Sequence, residues 1–595
     1  MQDDIRRKAE KWTEPPFDDD TRAEIRNLLK NGENSELKDR FYKELEFGTG
    51  GMRGIMGAGS NRMNIYTIGK ATQGLADYLL EALQADDVSV AVAFDSRNNS
   101  PRFAREAASV LAANGIRVHI YPDLRPTPLL SFTVRRLGCR SGIVITASHN
   151  PKEYNGYKVY GSDGAQVVTP EDARIVEFVN RVDISQGVKR VPYEEGVERG
   201  LIEELDESTE LDYLNRVDEF IRTVENGMSG MLDDSSKETR VVYTPLHGTG
   251  GTLVPAALRR IANSTVLPEP EQSVPDGGFT TTPSPNPEDP AALTAAIDLA
   301  RREGADLVIA TDPDCDRMGL AVPGKEEGEY VTLSGNQTGC LLAYVLLMSY
   351  RKAGLVPEDG LIISTIVSTE MIHNIALDFG VEVFETLTGF KFICGKMREI
   401  EEKGTGAFLF GFEESYGYLG GTFVRDKDGV IGSALAVLMV RYACGLHGSV
   451  LGLLDHLYAR YGVFDEFQRS FVFRGAEGAQ KIVSIMKQLR DDPPAGLGGV
   501  PVLEIKDYLL RKRTNLATGE DRPLEELPES NVLQFVIGNG RISVRPSGTE
   551  PKIKFYFGLN TPAPVAGETA GTVREKLKKS CDAVSNDLYS ICGLI

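Results

Sequence analysis

Several things are scarce or missing in this chain, and each absence removes a class of function. Cysteine is sparse: seven residues in 595, scattered at positions 139, 315, 340, 394, 444, 581 and 592, with no C-x-x-C pair. An odd, dispersed set suits a reducing compartment and offers neither a disulfide framework nor a zinc site. No apolar run is expected to reach the ~18 residues of a membrane-spanning helix, and Met1 to Lys8 lacks the apolar stretch of a secretory signal. The expected location is therefore cytoplasmic. Positive charge is in deficit, with 66 Lys and Arg against 86 Asp and Glu and a net charge of -20. That balance argues against general nucleic-acid binding and against docking on anionic membranes. There is no G-x-x-x-x-G-K-[ST], and no G-x-G-x-x-G on a strand–helix turn, so neither familiar nucleotide-binding route is supported. Low-complexity tracts are absent as well.

What is present is a repeated unit. At ~150 residues per domain the length suggests about four domains. Between 88 and 148 the pattern predicts strand (Val88–Phe94), helix (Pro101–Ala113), strand (Val118–Tyr121), helix (Pro128–Leu137) and strand (Gly142–Thr146). The order recurs between 239 and 312, ending in strand Leu307–Thr311, and again between 361 and 413, ending in strand Phe408–Phe410. Alternating strands and amphipathic helices imply three similar α/β domains with mixed, largely parallel sheets. From about 466 the pattern changes to strands with an Asn539-Gly540 turn and two helices, which implies a smaller C-terminal α+β domain. The expected divisions are 1–225, 226–335, 336–465 and 466–595.

The last strand of each unit runs into a polar loop, where open α/β sheets place their reactive groups. The first is Thr146-Ala147-Ser148-His149-Asn150-Pro151, which presents a serine beside a histidine. The second is Asp312-Pro313-Asp314-Cys315-Asp316-Arg317. Its alternating carboxylates can face one way and suit a hard cation such as Mg²⁺, although a solvated acidic loop has the same composition. An EF-hand is excluded, because Arg317 and Pro323 stand where it needs Gly and Glu. The third holds Glu413, Glu414 and Ser415, which read equally as contacts to sugar hydroxyls or as a helix N-cap with first-turn acids. Arg545-Pro546-Ser547-Gly548-Thr549-Glu550-Pro551 reads as a phosphate cradle or a plain turn. Gly48–Gly54 reads as a mobile glycine-rich loop that either steadies a phosphoryl group through Arg53 or is merely structural. Lys158 and Lys391 each follow a turn and could meet phosphate or act as a base. Tyr243–Gly251 looks like a phosphate loop, but reads better as a tight turn opening a helix, with His247 structural.

Together these loops describe phosphoryl transfer without a nucleotide. Their order resembles the α-D-phosphohexomutase superfamily, the phosphoglucomutase/phosphomannomutase group, on Thr146–Pro151, Asp312–Arg317, Gly411–Tyr418, Arg545–Pro551 and Gly48–Gly54. The resemblance implies four domains around a central cleft and a phosphoryl group carried on Ser148. It implies Mg²⁺ held by Ser148, Asp312, Asp314 and Asp316, and a glucose 1,6-bisphosphate intermediate that also serves as activator. Arg53 and Lys158 would flank the phosphoserine, with His149 orienting it, while Arg317 and Lys391 would meet the substrate. Glu413 and Ser415 would contact sugar hydroxyls, and Arg545, Ser547, Gly548 and Thr549 the non-reacting phosphate. Cys315 stands where many relatives carry glycine, and Gly417 where bifunctional phosphomannomutases carry histidine. The implied reaction interconverts glucose 1-phosphate and glucose 6-phosphate. The alternatives are a phosphopentomutase, a phosphomannomutase, or a non-catalytic sugar-phosphate-binding relative. The expected partners are small sugar phosphates, with the chain a monomer or weak homo-oligomer.

Overall fold

The computed structural model of the chain describes residues 2–48, 50–82, 87–232, 238–473, 475–524, 527–547, 552–564 and 568–595. Gly548 and Thr549 of the expected phosphate cradle lie outside the described residues, as does Thr49. Four sheets follow one another along the chain. The first has the order Gly51–Ile55, Tyr154–Gly161, Ser141–Ile145, Ser89–Phe94, Arg117–Ile120, Ile202–Glu204. Its inner strands Ser89–Phe94 and Ser141–Ile145 are buried at every residue, as apolar parallel strands covered on both faces must be. The second runs Tyr330–Leu333, Met318–Pro323, Leu307–Thr311, Thr239–Thr244, Ser264–Pro268, and the third Glu382–Thr386, Gly360–Thr365, Ala407–Glu413, Gly417–Gly420. The fourth is antiparallel throughout and packs Phe555 and Phe557 against Tyr589 of the helix Ala570–Ile591. The expected fold class holds.

The predicted strands and helices are present, but the sequence pattern misses the return strands. In each of the first three sheets the loop-bearing strand folds back antiparallel: Ser141–Ile145 with Tyr154–Gly161, Leu307–Thr311 with Met318–Pro323, Ala407–Glu413 with Gly417–Gly420. Three chemical loops are therefore three hairpin connections of one design. This corrects three expectations. Lys158 sits within the strand Tyr154–Gly161 rather than after a turn. Lys391 is the second residue of the helix Phe390–Lys403. Glu413–Ser415 caps no helix, because the chain continues into a strand. Gly48–Gly54 is not simply a loop either, since Gly51–Ile55 pairs with Tyr154–Gly161, and a Cβ on Gly51 would stand 2.1 Å from the Tyr157 carbonyl oxygen.

Two further features frame the site. The helices Gln2–Lys11, Asp19–Asn31 and Asn34–Phe41 enclose Trp12, which stacks on Phe17 at 4.3 Å and meets Tyr66 edge-on. The helix Gly429–His447 is long and apolar enough to cross a membrane, contrary to the expectation that no run would be. It packs between the second and third sheets with all of Gly429–Ala443 buried, so a protein core consumes its hydrophobicity.

Candidate active site

The loop after Ser141–Ile145 holds Ser148 in the left-handed region, at φ 51°. Non-glycine residues rarely adopt that conformation, and it persists only where neighbours impose it. Here Thr146 Oγ1 accepts from the Ser148 amide at 2.8 Å. Arg97 supplies more. Wholly buried and paired with Asp95 at 3.2 Å, it donates to the carbonyls of Ser148 (2.5 Å), Asn150, Pro151 (2.9 Å) and Tyr154 (3.1 Å). Sequence reasoning missed Arg97, though its signal was present: a charged pair directly after an apolar strand, the cue used for the other loops. Ser148 Oγ donates to Asp312 Oδ2 at 2.7 Å and lies 3.2 Å from His149 Nδ1. Burial, reinforced by Arg317 and Arg53, pushes the His149 imidazole well below its usual range, so the ring is neutral. Arg53 donates to the Asn150 side chain at 3.2 Å, which brings the glycine-rich strand onto the serine loop.

Asp312, Asp314 and Asp316 offer oxygens within 4.8 Å of one another, and all three are buried. Burial, with Asp314 and Asp316 beside it, raises the Asp312 carboxyl well above its usual range. Burial would raise Asp316 too, but Lys427, Lys158 and Arg317 hold it far below. Lys158 Nζ lies 2.7 Å from Asp314 Oδ2 and 3.3 Å from Asp316 Oδ2, and Lys427 Nζ lies 3.0 Å from Asp316 Oδ2. Asp314 Oδ1 and Asp316 Oδ1 are buried and have no hydrogen-bond partner. Orphaned carboxylate oxygens in a closely spaced set of hard ligands are what a divalent cation requires, so the residues fit Mg²⁺ and a solvated acidic loop is excluded. Cys315 is buried at φ 54°, a conformation glycine adopts without strain.

In the third loop, Glu413 and Ser415 are buried and Glu414 is fixed in place. Glu414 accepts from Thr365 Oγ1 at 3.0 Å, from Ser368 Oγ at 3.4 Å and from Ser415 Oγ at 3.2 Å. Burial is the main reason that the Glu413 carboxyl rises to about 7, with Lys427 opposing it and Glu414 adding to it. A Cβ on Gly417 would stand 2.2 Å from Lys427 Cδ, so Lys427 fills the space that a histidine at this position would need. Lys427 was missed because a lone lysine after a loop carries no local signal. Arg317 pairs with Glu288, which also accepts from Gln468 of the fourth sheet at 3.2 Å. A cavity of about 330 Å³ separates the third loop from that sheet, lined by Glu288, Glu414, Tyr416, Arg541 and Tyr556 among others.

From the fourth sheet, Arg545 lies across the ladder from Lys554 and hydrogen-bonds Tyr556. Lys391 comes near Arg545: burial first, and then that guanidinium, lowers its ammonium pKa. Ser547 continues the strand, its amide donating to the Lys552 carbonyl at 2.7 Å. Lys554, unnoticed in the sequence, is half-buried and lies near Glu288, Glu414 and Arg317. The structure thus brings Ser148, His149, Arg53, Lys158, the three aspartates, Arg317 and Glu413 into one connected network. Lys391 and Arg545 form a second, basic group.

Comparison with known proteins agrees with this layout. Sequence patterns of phosphoglucomutase/phosphomannomutase α/β/α domains I, II and III match residues 44–185, 218–325 and 334–461, and that of the C-terminal domain matches 509–575. A phosphoglucomutase of Staphylococcus saprophyticus is 36% identical over 540 residues, covering 90% of this chain and 94% of its own. One from Staphylococcus aureus strain COL is 36% identical over 547 residues with the same coverage. Among solved structures, the open form of the phosphoglucomutase parafusin from Paramecium superposes with a TM-score of 0.63 at 19% identity, covering 93% of this chain and 96% of that one. A phosphoglucomutase/phosphomannomutase family protein from Burkholderia thailandensis gives 0.59 at 19%, over 91% and 97%. These two structural likenesses speak to the fold.

Proposed function

The chain belongs to the phosphoglucomutase/phosphomannomutase family, and on that premise we propose that it interconverts glucose 1-phosphate and glucose 6-phosphate through a phosphoryl group carried on Ser148 and a bound glucose 1,6-bisphosphate. The observation that carries this reading is the contact of Ser148 Oγ with Asp312 at the edge of a buried aspartate cluster with orphaned oxygens. Mg²⁺ held by Asp312, Asp314, Asp316 and the Ser148 oxygen would neutralise charge on the transferring group when bound. Lys158 is kept protonated by Asp314 and Asp316, although burial alone would lower it, and it supplies a second positive charge beside the serine. Arg53 holds Asn150 and stands ready for phosphoryl oxygens, and neutral His149 orients Oγ by accepting its hydrogen bond when Asp312 does not. Arg317, set by Glu288, and Lys391 meet the substrate. Glu413 and Ser415 read its hydroxyls, and Arg545, Ser547, Gly548 and Thr549 take the phosphate that does not react.

Glucose rather than mannose is favoured by a specific feature. The position that carries histidine in bifunctional phosphomannomutases is Gly417, and Lys427 occupies its space beside Glu413. A pentose, with its smaller ring, would leave a buried polar group at Glu413 or Ser415 unpaired, which costs selectivity. The test is a coupled assay on glucose, mannose and ribose 1-phosphates, with Mg²⁺ and with or without glucose 1,6-bisphosphate. The expected result is the highest kcat/KM for glucose 1-phosphate and stimulation by the bisphosphate. A clear preference for ribose 1-phosphate would make the enzyme a phosphopentomutase, and no turnover of any substrate would leave a sugar-phosphate-binding protein.

A further inference from the structure

The segment Tyr243–Gly251 has the look of a phosphate loop and no part in the proposed chemistry. Two of its three glycines are consumed by packing. A Cβ on Gly248 would stand 2.4 Å from Pro313 Cα, and one on Gly250 would stand 2.2 Å from the Tyr243 hydroxyl and 2.7 Å from Thr311 Oγ1. Both ring nitrogens of His247 are engaged. Nδ1 donates to the Val274 carbonyl at 2.7 Å, which leaves Nε2 to accept from Thr281 Oγ1 at 2.7 Å. The His247 amide donates to the Gln272 carbonyl at 2.8 Å, and Gln272 is clamped in turn by Thr244 Oγ1 at 2.7 Å. Neither ring nitrogen of His247 is therefore left for an anion.

The same contacts lead to both chemical loops. Toward the metal loop, the Thr249 amide donates to the Pro313 carbonyl at 2.8 Å, and the Tyr243 hydroxyl bonds Thr311 Oγ1 at 2.8 Å, one residue before Asp312. Toward the serine loop, His247 holds both ends of Val274–Thr281. That segment lays Gly277 on Ser96 and Asn98, and sets the Phe279 ring 5.0 Å from the Arg97 guanidinium. Arg97 is the residue whose guanidinium holds four carbonyls of the serine loop. Backbone conformation marks the same connection. Of the nine non-glycine residues with positive φ among the described residues, Ser148, Cys315 and Tyr416 lie in the three chemical loops. Leu246, His247 and Phe279 lie in this substructure. Strain concentrated in two places that touch each other indicates positions held for a purpose.

We propose that Tyr243–Gly251 and the Val274–Thr281 segment form a positioning device that registers the serine loop against the aspartate loop, acting on the first through Phe279 and Arg97 and on the second through Thr249 and Tyr243. Phe279 and His247 touch no reacting atom; they are positioning residues. The Phe279 face caps a desolvated guanidinium from the second sheet's side, and so fixes the plane in which Arg97 grips the serine loop. The two arms are separable, because the Phe279 ring lies on Arg97 whereas a Cβ on Gly248 would meet Pro313.

The inference rests on the proposed mutase reading for its kinetic consequence, so the test has a second, activity-independent arm. Amide hydrogen exchange is followed in residues 146–153 and 312–317 of the full-length chain, for wild type, Phe279→Leu, Phe279→Tyr and Gly248→Ala. Phe279→Leu is expected to speed exchange in 146–153 by about 10-fold or more, with 312–317 unchanged and Phe279→Tyr like wild type. Gly248→Ala should do the reverse. In the mutase assay Phe279→Leu should lower kcat about 10- to 100-fold while KM stays within about two-fold, the signature of a displaced reacting group. Unchanged exchange in Phe279→Leu, or equal loosening of both loops with a matching fall in melting temperature, overturns the inference. A wild type without mutase activity would instead refute the functional reading, and the exchange data would still decide this one.

Discussion

The aspartate loop Asp312–Arg317 and the sugar loop Glu413–Ser415 both leave the last parallel strand of a sheet and both lead into an antiparallel return strand, yet they handle buried carboxylates in opposite ways. In the first, three carboxylates crowd within 4.8 Å, two of their oxygens have no partner, and Lys158 and Lys427 cover only part of the charge. In the second, the hydroxyls of Thr365, Ser368 and Ser415 are directed at Glu414, and Glu413 meets burial by holding a proton up to about 7. One loop is arranged so that a cation could complete it, whereas the other is satisfied by protons and hydroxyl groups. The hairpin plan supplies the position. The number of carboxylates and the local supply of donors decide the chemistry.

The largest effect should come from the group that the aspartate loop serves. Ser148→Ala is expected to reduce kcat by several orders of magnitude, as loss of a covalent nucleophile does, and mass spectrometry should find phosphate on Ser148 in the wild type but not in the variant. Near-normal turnover in the variant would rule out a covalent mechanism on the serine that the aspartate loop contacts.

Next comes the metal itself. Chelation should abolish activity and added Mg²⁺ restore it, whereas Asp314→Ala should raise the Mg²⁺ needed for half-activation by at least about 10-fold. The same variant should keep the melting temperature of the chelated wild type or exceed it, because removing one of three crowded carboxylates relieves repulsion. Full activity after exhaustive chelation would erase the difference drawn between the loops.

A control outside both loops is smaller. Arg545→Ala should raise KM by about 10-fold, from the loss of a charge-assisted contact of about 1.5–3 kcal/mol, with the Mg²⁺ requirement unchanged. Kinetics like the wild type would place the second phosphate elsewhere.

The smallest and most discriminating effect concerns Glu413. Its carboxyl stands at about 7 in the folded chain against an ordinary value of 4.5, so between these the folded state keeps a proton that the unfolded state has lost. The stability tied to it is complete below pH 4.5 and disappears as pH rises to about 7. Glu413→Gln should therefore flatten the fall in melting temperature across that window. It should also narrow the preference for glucose 1-phosphate over ribose 1-phosphate, since an amide reads hydroxyls less selectively than a carboxylate. An unchanged pH slope together with unchanged selectivity would remove Glu413 from the sugar site.

Much of this was legible in the residues. The apolar runs Gly142–Ile145, Leu307–Thr311 and Phe408–Phe410 are continuous because both faces of those strands are covered, and a polar residue directly after such a run marks the sheet edge where chemistry is done. The return strands were not legible. Tyr154–Gly161 contains two glycines and a lysine, and Gly417–Gly420 is only four residues long, so neither shows a strand's alternation. A long-range partner, not local propensity, makes them strands.

The sequence by itself determined which atoms could do chemistry: a serine, three alternating carboxylates, a glutamate–serine pair and an arginine-led cradle, each placed at a strand end by hydrophobic patterning. Only the tertiary structure decided which of them meet and in what charge state. Asp312 lies 164 residues from Ser148 yet accepts its hydrogen bond, and Lys427 fills the space above Gly417. Arg97 and Phe279, whose pairing nothing in the sequence announces, touch across two sheets at the back of the serine loop. Patterning is read along the chain, where periodicity is one-dimensional. Charge balance and strain depend on distances in three dimensions between residues that the chain separates, and these arise only once the sheets have packed.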